Sequence, residues 1–432
     1  MDRFRPRCGF GSFMSHRTRR INGSQPLETV TKRLVEQEDS SRQSFKAPKF
    51  EWIDEQSVFD NFVEELTKSS RVGIDTEFHR ERTYWANLAL IQIVGDNGIA
   101  LVDPVAVDIN GLSRVLDGPA TIVMHAASQD LEVLDRACGM IPRHIFDTQI
   151  AAGFLGMSTP SLASLVEKYE GVQLAKGDRL TDWFERPLTA TQQAYAASDV
   201  AYLFSLHDQI TANLTRLGRL EWALDECRRS KVPNKPTLTP ELAWTRIKEA
   251  RHLRGQAKAV AASLAEWRER KAQSNDIPPR FVLSDLALVG VAQQSPRDVE
   301  SLKKIRGLDH RYLKEGGASS ILNAVTKGRA LRPEDVATLP SDDRPALGNE
   351  LKPAVALVSA WVAQLARNES LDPALLATKA DIVDFLSGVA DSRLNKGWRS
   401  DLVGTRIHSL VNGEAALAFD REIGLILEAR TV

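Results

Sequence analysis

Three cysteines in 432 residues, Cys8, Cys138 and Cys227, are too few and too scattered to build anything. Odd in number and without metal-ligand spacing, they exclude a disulfide frame and point to a reducing, cytoplasmic setting. Long apolar runs are missing too, since none approaches the roughly 20 residues that a membrane span needs. No hydrophobic stretch follows the early arginines Arg3, Arg5 and Arg7, which argues against a secretory leader. Net charge is almost absent, at -1. What is present is a soluble globular composition, 43% hydrophobic and 26% charged, with ample material for a core. The length exceeds one ordinary domain and suggests two or three.

The small net charge conceals an asymmetry. Residues 1–50 hold 11 Lys/Arg against 5 Asp/Glu, and residues 51–230 hold 15 against 27. Residues 231–333 reverse this with 20 against 10, and 334–432 hold 10 against 15. An acidic segment beside a basic one fits a carboxylate-rich metal site next to a module that attracts polyanions. Solvated helical faces of opposite sign would give the same counts.

Residues 1–48 show no hydrophobic period and predict a disordered basic extension. Folded structure is expected from Phe50. Asp54 or Ser57 can cap a helix in which Val58, Phe59, Phe62, Val63 and Leu66 recur at helical spacing. Strands are predicted at Val72–Phe78, Leu88–Val94, Ile99–Val102 and Thr121–His125, with a hairpin turn at Gly95-Asp96-Asn97-Gly98. Helices then dominate, broken by a short strand at Ile145–Asp147, and the last begins near Thr189 and runs to about Leu217. The pattern predicts an α/β domain, a mixed sheet flanked by helices on both faces. A basic, Pro-containing linker follows, and everything beyond it reads as helix. The expected domains are 1–48, 49–228, a linker at 229–240, 241–325 and 326–432.

One stretch organises the rest: Val72-Gly73-Ile74-Asp75-Thr76-Glu77-Phe78. Side chains alternate on a strand, so Asp75 and Glu77 share a face about 7 Å apart. Two carboxylates so placed on a buried strand repel and pay for desolvation, and a divalent cation of the Mg²⁺ or Mn²⁺ kind removes both penalties. Alone, the pair is an ordinary polar strand end. Three later features point back to it. In His125-Ala126-Ala127-Ser128-Gln129-Asp130 an acid opens a helix after a buried strand, where a simple cap is the plain interpretation. In Tyr195-Ala196-Ala197-Ser198-Asp199 the i,i+4 spacing puts phenol and carboxylate on one helical face. The loop Lys176–Leu188 mixes Lys176, Arg179 and Arg186 with Trp183, a set suited to holding phosphate and stacking a base. Together, four acids and a Tyr stand in the order a two-metal phosphodiesterase requires. A Tyr hydroxyl can orient the attacking water or accept its proton.

These three blocks, Asp75-x-Glu77, His125-Ala126-x-x-x-Asp130 and Tyr195-x-x-x-Asp199, resemble the exonuclease motifs of the DEDD superfamily in its Tyr-containing branch. Arg80-Glu81-Arg82-Thr83-Tyr84, Leu90-Ile91-Gln92, Leu180-Thr181-Asp182-Trp183 and Arg186-Pro187-Leu188 narrow the resemblance to the ribonuclease D family. Downstream, Trp244, Arg251, Ala265-Glu266-Trp267-Arg268-Glu269, Ile277-Pro278-Pro279, Leu283-Ser284-Asp285 and Ile305-Arg306-Gly307 resemble an HRDC domain. Residues about 345–430 resemble a divergent second one through Trp361, Ala366-Arg367, Leu375–Asp381 and Gly397-Trp398-Arg399.

The resemblance implies a ribonuclease H-like 3′-5′ exonuclease domain followed by all-α HRDC domains. It implies two divalent ions, Mg²⁺ or Mn²⁺, with Asp75, Glu77 and Asp199 on the first and Asp75 and Asp130 on the second. Tyr195 would position the attacking water. Phe78, His79, Tyr84, Lys176, Trp183 and Arg186 are candidate substrate contacts. The implied activity is 3′-5′ exoribonuclease action releasing nucleoside 5′-monophosphates from tRNA precursors and small structured RNAs, by a monomer. A DNA exonuclease, or a non-catalytic RNA-binding scaffold on a nuclease fold, are the alternatives.

Overall fold

The computed structural model describes residues 47–175, 181–231, 239–314, 316–338 and 345–430. Residues 1–46 of the expected extension and most of the expected linker lie outside these residues. Six strands form the main sheet: β1 (Phe50–Ile53), β2 (Arg71–His79), β3 (Asn87–Gly95), β4 (Gly98–Val102), β5 (Thr121–Met124) and β6 (His144–Asp147). Their order is β1-β4-β3-β2-β5-β6. β2, β3 and β4 are antiparallel neighbours, while β1, β5 and β6 join by parallel pairings, so the sheet is mixed. The Gly95–Gly98 turn closes the β3–β4 hairpin where expected. β1 escapes sequence reading because, at the sheet edge, Phe-Glu-Trp-Ile buries only Ile53 and offers no apolar run.

Alternation along β2 and β3 sorts their side chains onto two layers. Ile74, Ile91 and Ile93 pack with Phe59, Val63 and Leu66 of α1 (Gln56–Leu66) and with Leu131 and Leu134 of α2 (Ser128–Cys138). Glu55, not Asp54 or Ser57, takes the cap position of α1, without a side-chain bond. On the opposite face lie α3 (Ala190–Ala201), α4 (Leu203–Arg216) and α5 (Leu220–Ser230). The helix expected to run through to Leu217 is broken at Tyr202, where ψ is -1°. Gly73 is required on this face, because an added Cβ would lie 2.4 Å from Val94 and 3.1 Å from Leu203 of α4.

The helical region has two modes of packing. Around α6 (Gly255–Ser274) and α7 (Gly317–Ala330), residues from Ala243 to Val336 build a core of their own. Residues after 345 build none. Val358, Trp361, Val362 and Leu365 of α8 (Lys352–Glu369) belong to one cluster with Phe146, Phe154, Leu206 and Ile210. Trp398 stacks on Trp222 of α5, with ring centroids 5.1 Å apart, and meets the edge of Phe154 at 5.4 Å. Glu226 of α5 accepts from Arg393 at 3.1 Å and from the fully buried Arg399 at 2.7 Å. Among the described residues the region has no strand besides a terminal hairpin, β7 (Ala415–Asp420) and β8 (Gly424–Ala429), where helix was expected. Ala and Leu in β7 favour a helix, but the turn prevails: Asp420 Oδ1 accepts from the backbone of Glu422 and Ile423, and Gly424 takes φ of 84°.

Candidate active site

Two acids on β2 and one on α3 converge because each element is fixed at its end. α3 begins with a capping box, in which Thr189 accepts from the Gln192 backbone and Gln192 reaches back to Thr189. That start sets the phase of the helix and brings Asp199 over β2. One oxygen each from Asp75, Glu77 and Asp199 lie within 4.8 Å of one another. Tyr195 stands one turn before Asp199 on the same face, its ring 6.2 Å from that of Trp183.

Asp130 arrives from α2 and is held separately. Thr76, between the two β2 acids, donates its hydroxyl to Asp130 Oδ1 at 2.5 Å. The turn aiming α2 has Ala126 at φ 56°, an uncommon conformation for a residue with a Cβ. Asp147 at the end of β6 holds that turn, accepting from Ala126 N at 3.1 Å and Ala127 N at 2.9 Å. The same carboxylate caps the helix Thr148–Gly153. Thr76 and Asp147 were not singled out from sequence, although Asp147, an acid between strand and helix, carries the same signal as Asp130.

The electrostatics follow from this crowding. Burial, then the charges of Asp130, Asp199 and Glu77, hold Asp75 well above the ordinary carboxylate range. Burial, then Asp199 and Asp130, push Glu77 up to about 8. Burial raises Asp199 to about 7. It raises Asp130 to about 6 against the opposing pull of the Thr76 bond. The Tyr195 phenol is pushed up by burial and by Asp199, Glu77 and Asp75. What raises these groups is loss of water and one another's charge, and their oxygens are hard donors. Such a set fits a divalent cation of the Mg²⁺ class.

The outer candidates divide. Phe78 and His79 follow Glu77 beyond a register shift in the β2–β3 ladder, and the His79 ring meets Phe184 edge-on at 6.5 Å. With Trp183 beside Tyr195, residues 183 and 184 set two aromatic rings at the edge of the site. Phe184, partly exposed, was passed over in favour of Trp183. Lys176 lies outside the described residues. Arg186 has its donors committed internally. It bonds Asp103 through Nε at 2.6 Å and Nη2 at 2.8 Å, and it donates to the carbonyls of Ala89, Trp183 and Glu185. It clamps its loop to the sheet and has nothing left for a phosphate.

Tyr84 is likewise engaged within the chain. Its hydroxyl donates to Glu269 of α6 at 2.5 Å and accepts from Gln273 at 3.0 Å. Asp276, just past α6, accepts from the backbone of Tyr84 and Trp85 at 3.1 and 3.0 Å. The loop leaving β2 is thus fastened to the helical module, in part through the Tyr84 hydroxyl.

Fold and site define a 3′-5′ exonuclease domain with a helical module attached. The 3′-5′ exonuclease family pattern matches residues 50–215 and the HRDC domain pattern residues 257–325. Ribonuclease D of Gluconacetobacter diazotrophicus is 35% identical over 367 residues, which cover 83% of this chain and 92% of that protein. Ribonuclease D of Escherichia coli is 34% identical over 353 residues, covering 79% and 92%. The crystal structure of Escherichia coli RNase D, described as an exoribonuclease involved in structured RNA processing, aligns with a TM-score of 0.73 at 31% identity over 84% of this chain and 99% of that one. The chain belongs to the ribonuclease D family.

Proposed function

We propose that this protein is a divalent-metal-dependent 3′-5′ exoribonuclease. It releases nucleoside 5′-monophosphates from the single-stranded 3′ ends of tRNA precursors and other small structured RNAs. The observation that carries this is the convergence of Asp75, Glu77 and Asp199 from a strand and a helix 122 to 124 positions apart onto a space one ion could fill. Asp75, Glu77 and Asp199 hold one cation, Mg²⁺ or Mn²⁺, and Asp75 with Asp130 holds a second. When bound, the ions supply charge neutralisation at the phosphate and acidify water. Thr76 and Asp147 keep Asp130 on its bearing. Tyr195 orients the attacking water through its hydroxyl, a role that suits a phenol whose proton is tightly held. His79, Trp183 and Phe184 supply ring faces for the terminal bases.

The HRDC module extends the hold on RNA. Between α6 and α7 lies a cavity of about 730 Å³ lined by Trp267, Arg270, Lys271, Asn323 and Lys327, among others. Glu266 engages Arg270 at 3.2 Å and Lys327 at 3.0 Å, while Lys271 lies 5.7 Å from the centre of the Trp267 ring. Cations beside an aromatic face suit a phosphate and a base. The protein acts as a monomer in the reducing cytoplasm, a compartment that the buried free thiols of Cys138 and Cys227 suit. Among the described residues no helix is long and apolar enough to cross a membrane.

The test uses a 5′-labelled RNA with a duplex body and a single-stranded 3′ tail, beside a DNA of the same sequence. Stepwise shortening of the RNA in Mg²⁺ or Mn²⁺, abolished by EDTA, is the expected result. A chain that leaves RNA intact in either metal refutes the activity, and preferential shortening of the DNA refutes the substrate class.

A further inference from the structure

Gln92 of β3 is fully buried, and among the described residues neither its Oε1 nor its Nε2 has a hydrogen-bond partner. A carboxamide carries two donors and an acceptor with two lone pairs, and burying it unbonded is unfavourable. A residue serving only to fill the core would be better as Leu or Met. Its address is specific. Gln92 is the cross-strand partner of Asp75, and paired residues in antiparallel strands project from the same face as near neighbours. On its other side it pairs with Leu101 of β4. The buried layer on this face consists of Leu90, Leu101, Leu188, Ala196 and Ala197, which offer no side-chain polar atom; of the partly buried residues packed against it only Trp52 and Trp183 carry an N–H, and that of Trp52 donates to Asp54. Ala196 and Ala197 belong to α3, the helix that brings Tyr195 and Asp199. The carboxamide therefore lies between an apolar layer and the Asp75 carboxylate beside it.

We infer that Gln92 is a positioning residue for Asp75: in the metal-loaded site its Nε2 donates to one Asp75 oxygen and so fixes the plane in which the other faces Glu77 and Asp199. A carboxylate able to rotate is a poorer ligand than one held by a hydrogen bond, and outer partners of this kind typically change metal affinity by about 10–100-fold. A charge-assisted bond to Asp75 also gives the orphaned amide the partner that its burial demands. The inference rests on the metal-dependent reading of the site.

Gln92→Met keeps the size of the side chain and removes both polar groups, while Gln92→Asn keeps an amide on a shorter stem. The full chain and both variants are compared by thermal melting in EDTA and by calorimetric titration with Mn²⁺. For Gln92→Met the melting temperature in EDTA should be unchanged or higher, because an unsatisfied amide has gone. Mn²⁺ affinity should fall about 10-fold or more. In the RNA assay kcat should drop while KM stays, and Gln92→Asn should recover part of the affinity. A lower melting temperature for Gln92→Met in EDTA makes the amide a structural element and overturns the inference. So does wild-type Mn²⁺ affinity in that variant while the parent chain binds normally. A parent chain that takes up no Mn²⁺ overturns the metal reading itself, and this inference with it.

Discussion

Replacing Glu77 by Gln should make the metal-free protein more stable at pH 8 and inactive at every pH. Burial, then Asp199 and Asp130, hold the Glu77 carboxyl near 8 in the folded chain, against an ordinary value of 4.5. A group whose folded pKa is raised favours the folded state fully below its unfolded pKa. That contribution is lost as pH climbs through the folded value. Between 4.5 and 8, each pH unit is worth about 1.4 kcal/mol, so the whole span amounts to roughly 5 kcal/mol. Water and salt reaching the half-buried carboxylate reduce this, leaving about 2 kcal/mol at pH 8 and almost nothing at pH 5. Glutamine keeps the shape and drops the charge. In EDTA the variant should therefore melt roughly 3–5 °C above the parent at pH 8 and level with it at pH 5. Mg²⁺ should invert the order at pH 8, since the parent gains a ligand-linked increment that the variant lacks. A variant that melts lower than the parent in EDTA at pH 8, or a difference indifferent to pH, refutes the crowded-carboxylate account of the site.

Three further outcomes follow from the same structure. Tyr195→Phe should slow hydrolysis about 10²-fold with an unchanged melting temperature, checked by single-turnover kinetics. Arg186→Ala should cost about 2 kcal/mol in urea denaturation, because Asp103 and three carbonyls lose their donor. RNA affinity, measured by fluorescence anisotropy in Ca²⁺, should stay near that of the parent. Trp398→Ala should cost about 3–5 kcal/mol, since the ring fills the space between Trp222 and Phe154, and the nuclease and the C-terminal helices should still unfold together.

Local periodicity is what made the site legible. Asp75 and Glu77 declared themselves through a period of two, Tyr195 and Asp199 through a period of four, and both patterns survive folding because they are properties of single elements. The mixed sheet was legible for the same reason, apart from β1. Contacts between distant segments were not. Arg186 looks like a phosphate ligand until Asp103, 83 residues earlier, is found to occupy it. Tyr84 looks like a nucleotide contact until its hydroxyl is found donating to Glu269, 185 residues later. In both cases the residue type can donate a hydrogen bond, and only the fold says to whom it does so. The final hairpin failed differently, with helix-forming residues overruled by a turn of three residues.

The charge asymmetry can now be located more closely. A segment of 15 Lys/Arg against 27 Asp/Glu lies next to one of 20 against 10, and opposite charges could simply have bound the two together. They do not. Among the described residues no salt bridge links the nuclease domain to the 239–338 module. At the joint Glu269 and Asp276, two acids of the basic module, receive donors from the loop after β2, while Gln273 donates to the Tyr84 hydroxyl and Arg280 to the Glu81 carbonyl. The contrast with the region after 345 is direct, for there Glu226 and Glu369 form ion pairs with Arg393, Arg399 and Arg219 across the join. A module that, among the described residues, commits Arg280 alone of its cations to this joint keeps most of its cationic surplus, the kind of surface that attracts a polyanion. The loop it grips is the direct continuation of the strand bearing Asp75 and Glu77. Tyr84 stands five residues beyond His79, so under the proposed function an RNA held by the HRDC module and the strand bearing the acids would share this one joint.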